Sequence, residues 1–442
     1  MRTHPFIATI ERTRFAPSFG YVRKVAPGVV EASGPAMGLG DLCAIETDIE
    51  GRVQVLAEVS AADQNGITLV PLEPHAQIRL DARVVAQSSG NDIAVGDCFA
   101  GRAVDPFGRP IDGCGPVQAR EYSKPLGQVP KPMERANPGR IIHTGIRAID
   151  GILPLARGQR IGIFAASGVG KTTLMEQLAL QMECSRCVIC LVGERGREVE
   201  AVWSNLAGRH DLQRFTLVAA TSDESAALRA RSVDFALSLA EHWRAKGEHV
   251  VLIVDSVTRL AMALREIGLA AGAPPTVRAY PPNVFSALPR IVERCGAIAS
   301  GGSISAVMTV LSETDDVDDP IVELMKSLLD GHIILSRTLA EQGHFPAIDV
   351  PRSISRGAER LVSPDQARAM RETVALLGAY EETRVMIESG VYRSGTNIAV
   401  DRAIAVRPEL MAFLRQPAGE AASPSEAIAR LRSIIEKAAG HA

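Results

Sequence analysis

The chain has 442 residues, 46% of them hydrophobic and 22% charged, which excludes wholesale disorder and leaves room for roughly two to four domains. Forty-eight Lys+Arg against 51 Asp+Glu give a formal net charge of −3, so no global electrostatic case for nucleic acid or an anionic membrane follows. Seven cysteines, an odd number in so long a chain, do not make a disulfide framework and point to a reducing cytosol.

The start, MRTHPFIATIERTRF, has no basic segment followed by an apolar run, so no secretory leader is read there. From about residue 21 to 95, short β-type runs alternate with turns: Val29–Val30, Val53–Val59, Ile67–Val70 and Arg83–Ala86. Closely spaced strands with Gly and Asn turns predict a small β-barrel or sandwich over 1–95. From 96 to 363, apolar strands alternate with helices. The strands are Arg160–Ala165, Cys187–Val192, Phe215–Ala219, Val250–Val254 and Ile304–Leu311. Between the first two, Thr172–Glu183 carries Leu174, Leu178 and Met182 at helical spacing. Near-continuous apolar strands joined by helices predict an α/β unit with a mainly parallel sheet covered on both faces. A proline-rich loop, AGAPPTVRAYPPNVF, interrupts it at 271–285.

The longest stretch without a charge, Cys295 to Ser312, is broken by Gly296, Gly301 and Gly302. It reads as a strand with its entry turn, not as a membrane span of about 20 apolar residues. Residues 364–442 are helical only, with Met370, Val374 and Leu377 at helical spacing. The last helix opens on a capping box, Ser423-Pro-Ser-Glu426, and its predicted stripe is Ile428, Leu431 and Ile435.

The strongest chemical signal is IGIFAASGVGKTTL, Ile161 to Leu174, an apolar strand that runs through a glycine loop into an amphipathic helix. Residues Ala165, Ala166, Ser167, Gly168, Val169, Gly170, Lys171, Thr172 and Thr173 form the candidate phosphate cradle. Glycine lets successive N–H groups point at phosphate, Lys171 reaches the β- and γ-phosphates, and the Thr172 hydroxyl ligates Mg²⁺. Ala165 stands where the strict form has glycine, and its methyl group is tolerated if φ there stays below zero.

Two further strands end in carboxylates. HVVLIVDSVTR closes an apolar run on Asp255, 84 residues after Lys171. Alone this would equally be a helix-capping Asp; with the phosphate loop upstream it suits Mg²⁺ through its water shell. CLVGERGREVE ends a strand at Gly193, followed by Glu194 and Arg195. Glu194 is the candidate for activating water and Arg195 for the γ-phosphate, whereas Arg197, Glu198 and Glu200 read as a solvated charge cluster. Cys184, Cys187 and Cys190 have C-x₂-C-x₂-C spacing. Cys190 lies inside an apolar strand and no fourth cysteine follows nearby, so an iron–sulfur cluster is rejected. The nine histidines show no paired ligand spacing, and no metal beyond Mg²⁺ is expected.

Taken in order, FAASGVGKTTL, LVGERGREV, VDSVTRLAMALREIGLAAGAPP and YPPNVFSALPRIVERCG resemble the type III export ATPases. These are the flagellar export ATPase and its virulence-secretion relatives, cousins of the catalytic subunit of rotary ATP synthases. The likeness extends to GRAVDPFGRPIDGCGP, TGIRAIDGILPLARGQR and LLDGHIILSRTLAEQGHFPAIDV, covering roughly residues 20–400. It implies a RecA-like P-loop ATPase domain between the small barrel and the helical end. It also implies ATP and Mg²⁺ as ligands and a cytoplasmic homohexamer, peripheral at the inner face of the membrane. Export substrates with their chaperones, a stator-like regulator and an export gate would be its partners, and nucleic acid would not.

By position, the resemblance makes Glu194 the catalytic glutamate and sets Phe345 where an aromatic ring meets adenine, with a plain core Phe as the alternative. Arg356, in SISRG, matches the arginine that a neighbouring subunit inserts towards the γ-phosphate. Gly357 departs from the bulkier residue expected beside it. A rotary synthase subunit is disfavoured by the proline-rich loop, and an RNA-dependent translocase by 4% aromatics and the acidic balance. Glu194, Asp255 and Arg356 together argue against a non-hydrolysing scaffold. The flagellar branch is preferred to the virulence branch on ETDDVDDPIVELMKSLLDGHIILSR.

Overall fold

The computed structural model describes residues 18–48, 53–73, 76–87, 91–125, 127–274, 280–312 and 319–439. Residues 1–17, which include the opening MRTHPFIATIERTRF, the middle of the proline-rich loop (275–279) and the acidic run 313–318 therefore lie outside the described residues.

Six strands close a barrel: β1 (Phe19–Ala26), β2 (Val29–Ala32), β3 (Leu42–Glu46), β4 (Gln54–Asp63), β5 (Gly66–Pro71) and β6 (Arg83–Ala86), in the order β1-β2-β5-β4-β3-β6. The expected runs map onto β2, β4, β5 and β6, and a barrel rather than a sandwich is the result. Its interior is filled by alternate residues such as Val55, Ala57 and Val59. β1 and β3 escaped the sequence reading for opposite reasons. β1 exposes most of its length, while β3 is buried on both sides. Cys43 and Ile45 point into the barrel, and Leu42 packs outward with Leu72 and Ala227.

Past the barrel, β7 (Ile93–Val95) pairs forward with β9 (Glu121–Ser123), so the break expected at 95/96 falls inside this ribbon. A second small ribbon joins β10 (Ile141–Ile142) to β11 (Leu155–Ala156). The main sheet runs β19-β18-β12-β17-β15-β13-β14-β8. Its members are β8 (Arg102–Val104), β12 (Arg160–Ala165), β13 (Arg186–Glu194), β14 (Phe215–Thr221), β15 (His249–Asp255), β17 (Ser303–Leu311), β18 (Gly331–Ile334) and β19 (Ile354–Ser355). From β18 to β8 all pairings are parallel, while β19 and the short β16 (Gly296–Ala297) pair antiparallel to β18 and β17.

Helices cover both faces. On one side lie α1 (Arg147–Ile152), α2 (Lys171–Gln181) and α3 (Gly196–Ala207). On the other lie α4 (Ala226–Ala245), α5 (Val257–Ala270), α6 (Pro282–Arg294) and α7 (Pro320–Leu328). β13 shows why its strand reads as unbroken apolar sequence: Cys187, Ile189 and Leu191 enter one core, and Val188, Cys190 and Val192 the other. Cys187 and Cys190 therefore face opposite sides of the sheet.

After the short α8 (Arg337–Glu341), three helices follow the sheet: α9 (Pro364–Glu388), α10 (Ile398–Leu414) and α11 (Pro424–Ala439). They join the first core through Leu376, Phe413 and Leu431. The last helix buries Leu431 and Ile435 as expected, together with Ala427, Ile434 and Ala438, while Ile428 is only half-buried, so the stripe is turned slightly.

One buried cation fixes α6 against α4. Arg294 is 1% exposed and pairs with Asp234 (2.6 Å) and Glu241 (2.8 Å), and it donates to the Pro125 carbonyl (3.2 Å). Replacing it with Met leaves two poorly solvated carboxylates without a partner. Arg294→Met is expected to cost about 3–5 kcal/mol in urea denaturation at pH 7. A loss below about 1 kcal/mol, the scale of an exposed pair, would assign those carboxylates to solvent.

Candidate active site

All strands of the parallel sheet present their C-terminal ends at one edge, and the charged residues singled out in the sequence gather there. β12 ends in Ala165, which is buried and still hydrogen-bonded into the sheet through its carbonyl. Ala165 keeps a negative φ, since Asp81 alone among described non-glycine residues has a positive one. The loop then turns through Gly168 (φ 80°) and Gly170 (φ 89°), with Val169 buried as its anchor. Ala166 is half-buried, Ser167 is exposed, and Thr172 and Thr173 are exposed on the first turn of α2.

Lys171 lies against the Asp255 carboxylate and 4.0 Å from Glu194 Oε1. Asp255, 2% exposed, ends β15 and accepts a hydrogen bond from Thr309 Oγ1 (2.5 Å) on β17. In the β13–β15 register Leu191 stands opposite Asp255, so Glu194 is three residues further along. A bulge between Val192 and Glu194, with Gly193 at φ 67°, turns the carboxylate back towards the loop. Side-chain atoms of Arg229 and Arg259 lie 3.3 and 3.4 Å from where a Cβ on Gly193 would sit. Glycine therefore answers both the backbone and the space there.

Arg259, one turn into α5, was not singled out by sequence reasoning, although its motif was. It holds Glu194 Oε2 at 3.0 Å and donates to the Gly193 carbonyl. Arg195, expected at the γ-phosphate, takes the N-cap position of α3 and is exposed. Its carbonyl accepts from the N–H groups of Glu198 and Val199, and its guanidinium acts on the Glu198 charge rather than on the phosphate loop. The strand runs to Glu194, one residue beyond the expected end, and the helix opens at once on Arg195, which turns outward while Arg259 supplies the cation. Glu198 is also no solvated bystander: it is half-buried and hydrogen-bonded to Glu194. Arg197 and Glu200 are exposed, as expected.

Burial, the Glu198 hydrogen bond and the Asp255 charge push the Glu194 carboxyl up to about 7, against the pull of Arg259 and Lys171. The same hydrogen bond holds Glu198 below its usual range. The one contact thus favours the neutral form of Glu194 and the charged form of Glu198. For Mg²⁺, the Thr172 hydroxyl and the Asp255 carboxylate offer the hard oxygen donors the ion requires, and Thr309 fixes the carboxylate from behind.

Phe345 is 43% exposed, which is not the setting of a core phenylalanine, and its ring lies 3.3 Å from where a Cβ on Gly170 would sit. Arg356 is exposed at the other end of the sheet. Its N–H donates to the Asp330 carbonyl (2.9 Å) and its carbonyl accepts from Gln159 Nε2 (3.2 Å). The neighbouring Ser355 registers with Gly331, and Gly331 with Ile161 near the start of β12. The phosphate loop begins four residues beyond Ile161, about 13 Å along the strand, so Arg356 does not reach its own subunit's loop. Gly357 sits at φ 81°, where the bulkier residue would be strained.

The acid pair and Arg259 make opposite predictions. Below pH 7 Glu194 is protonated and cannot accept a proton from water, so kcat/KM should rise as pH passes through about 7. Glu198→Gln removes a bond that favours the neutral acid and should move this limb to lower pH. Arg259→Gln removes a cation that favours the charged acid and should move it to higher pH. Limbs that stay fixed, or shift together, would show that another group titrates.

Two family models match the chain: the ATP synthase alpha/beta family, nucleotide-binding domain, over residues 145–355, and the T3SS EscN ATPase C-terminal domain over residues 362–433. A flagellum-specific ATP synthase of Bacillus subtilis is 40% identical over 440 residues, covering 98% of this chain and 99% of that protein. A type 3 secretion system ATPase of Sinorhizobium fredii is 40% identical, with 92% and 90% covered. Among solved structures, the assembled ATPase EscN of the enteropathogenic E. coli type III secretion system superimposes with TM-score 0.89 at 37% identity. It matches 94% of this chain and 100% of that one. EscN in complex with its central stalk EscO gives 0.84 at 36% identity.

Proposed function

Because the chain belongs to the type III export ATPases, the branch of the ATP synthase alpha/beta family that serves flagellar and virulence secretion, we propose that it works as a homohexameric ring with nucleotide sites between subunits. It hydrolyses ATP to ADP and phosphate. The observation that carries the site is the convergence of Lys171, Glu194, Asp255 and Arg259 beside the glycine loop at one sheet edge. Lys171 and the loop N–H groups bind the β- and γ-phosphates. Thr172 and Asp255 would hold Mg²⁺, which would supply positive charge against the phosphates. Glu194 orients the attacking water and accepts its proton. Arg259 sets the carboxylate's direction. The exposed ring of Phe345 takes the adenine.

Arg356 completes the site of the adjoining subunit. Its distance from its own phosphate loop, together with the likeness to an assembled relative, supports that reading. Export substrates and their chaperones, a stator-like regulator and an export gate are the proposed partners; in the relative EscN, the central stalk EscO is one bound protein. None of the described helices is long and apolar enough to cross a membrane, so membrane association would come through the export apparatus. The flagellar branch is preferred, supported by the near-complete overlap with the Bacillus subtilis protein. Deletion of the gene should abolish motility, and a motile, secretion-defective strain would assign the virulence branch instead.

Assembly and catalysis can be tested together. An arginine supplied from a neighbour is worth about 10³–10⁵ in rate. Arg356→Ala should bind ATP and hardly hydrolyse it, and wild-type activity per subunit should fall on dilution. Mixing Arg356→Ala with Lys171→Ala subunits pairs some intact loops with intact arginines and should restore part of the activity. Mixed rings that stay inactive, with a wild-type rate independent of dilution, would make Arg356 a structural arginine.

A further inference from the structure

We infer that Gln416 is a positioning residue for the base end of the nucleotide site, holding the Phe345 backbone in place from the C-terminal helical region. The inference rests on the reading that Phe345 faces the base.

Gln416 follows α10 and is 2% exposed. Its backbone N–H donates to the Phe345 carbonyl (2.8 Å). Its side-chain Oε1 accepts from the Arg147 N–H (2.8 Å), and Nε2 donates to the carbonyls of Gly145 (2.7 Å) and Glu420 (2.7 Å). One acceptor and two donors are matched to one N–H and two C=O groups, which fixes the amide's orientation and explains the residue type. Glutamate lacks the donors and asparagine is one methylene shorter.

The surrounding segment is tied down from two sides. The Arg147 guanidinium donates to the carbonyls of Phe413 (2.9 Å) and Arg415 and pairs with Glu420 (2.6 Å). Gln177, buried on α2, donates to the Ala418 carbonyl (2.8 Å). α2 begins at the phosphate loop, and the Phe345 ring rests on Gly170, which precedes that helix. A closed circuit results: Gly170, α2, Gln177, the 416–418 segment, Phe345 and back to Gly170. The ring itself is too exposed to be fixed by core packing; its backbone is held by the bond from Gln416 together with the His344 N–H to the Leu339 carbonyl (2.9 Å) and the Ser336 N–H to the Ala347 carbonyl (2.8 Å) on either side.

Affinity for a ligand with a base should therefore depend on Gln416, and affinity for a ligand of phosphates alone should not. Calorimetry on the full chain with Mg–ADP and with Mg–pyrophosphate separates the two. Phe345→Ala should weaken ADP by about 5- to 100-fold, the worth of one base stack, and leave pyrophosphate unchanged. Gln416→Ala keeps the backbone N–H but frees the segment, and should weaken ADP by about 3- to 10-fold with pyrophosphate again unchanged. If Gln416→Ala does not fold, Gln177→Ala, which releases the same segment from α2, must show the same split. Equal losses for both ligands, or no loss for either while Phe345→Ala shows the split, would overturn the positioning role alone. A Phe345→Ala protein without the split would overturn the base reading and this inference with it.

Discussion

Two carboxylates almost out of water, at the ends of adjacent strands, are the constraint around which the catalytic edge is built. The Asp255 charge alone would push Glu194 towards its neutral form. Lys171 stands between them, in contact with Asp255 and 4.0 Å from Glu194, while Arg259 takes the other Glu194 oxygen at 3.0 Å. This alternation of signs requires the phosphate loop to end where it does, the bulge at Gly193 to turn Glu194 back, and α5 to start immediately after β15. The cations cannot be moved without leaving a buried acid unpaired, and that cost ties three separate strands to one geometry.

The acids are not balanced equally. Asp255 has Thr309 and Lys171 and, among the described residues, no acid bonded to it. Glu194 has Arg259 but also burial and the Glu198 contact against it, and its carboxyl rises to about 7. One carboxylate is thus suited to holding a cation and its neighbour to exchanging a proton, although both are acids at the end of a buried strand. The division of labour lies in what each touches.

Those contacts also decide what could be read from the sequence. The central strands were legible because burial on both faces writes itself as continuous apolar sequence, and the phosphate loop because its glycines and lysine are local. Glu194 and Asp255 followed as the first charges after apolar runs. Arg259 was visible in VDSVTR but carries no local mark: its role comes from a strand 66 residues away. Arg195 looked better placed by adjacency and turned outward because the helix begins there. Glu198 resembled its solvated neighbours and differs only in which side of α3 it occupies. Gln416 is further still, with partners around residues 145 and 345 that no periodicity connects.

Phe345 and Arg356 lie eleven residues apart in sequence and at opposite ends of the sheet, one on the subunit's own phosphate loop and one beside Asp330 and Gln159. On the proposed role of Arg356, the subunit is directional, with an accepting edge and a donating edge that differ chemically. Two such subunits cannot satisfy each other symmetrically; joined head to tail, they always leave one accepting edge without a donor. Any open chain of copies carries one such unfinished site regardless of its length, and only closure removes it. The incentive to form a ring is then a matter of counting rather than of interface strength, and a fully competent assembly has no ends.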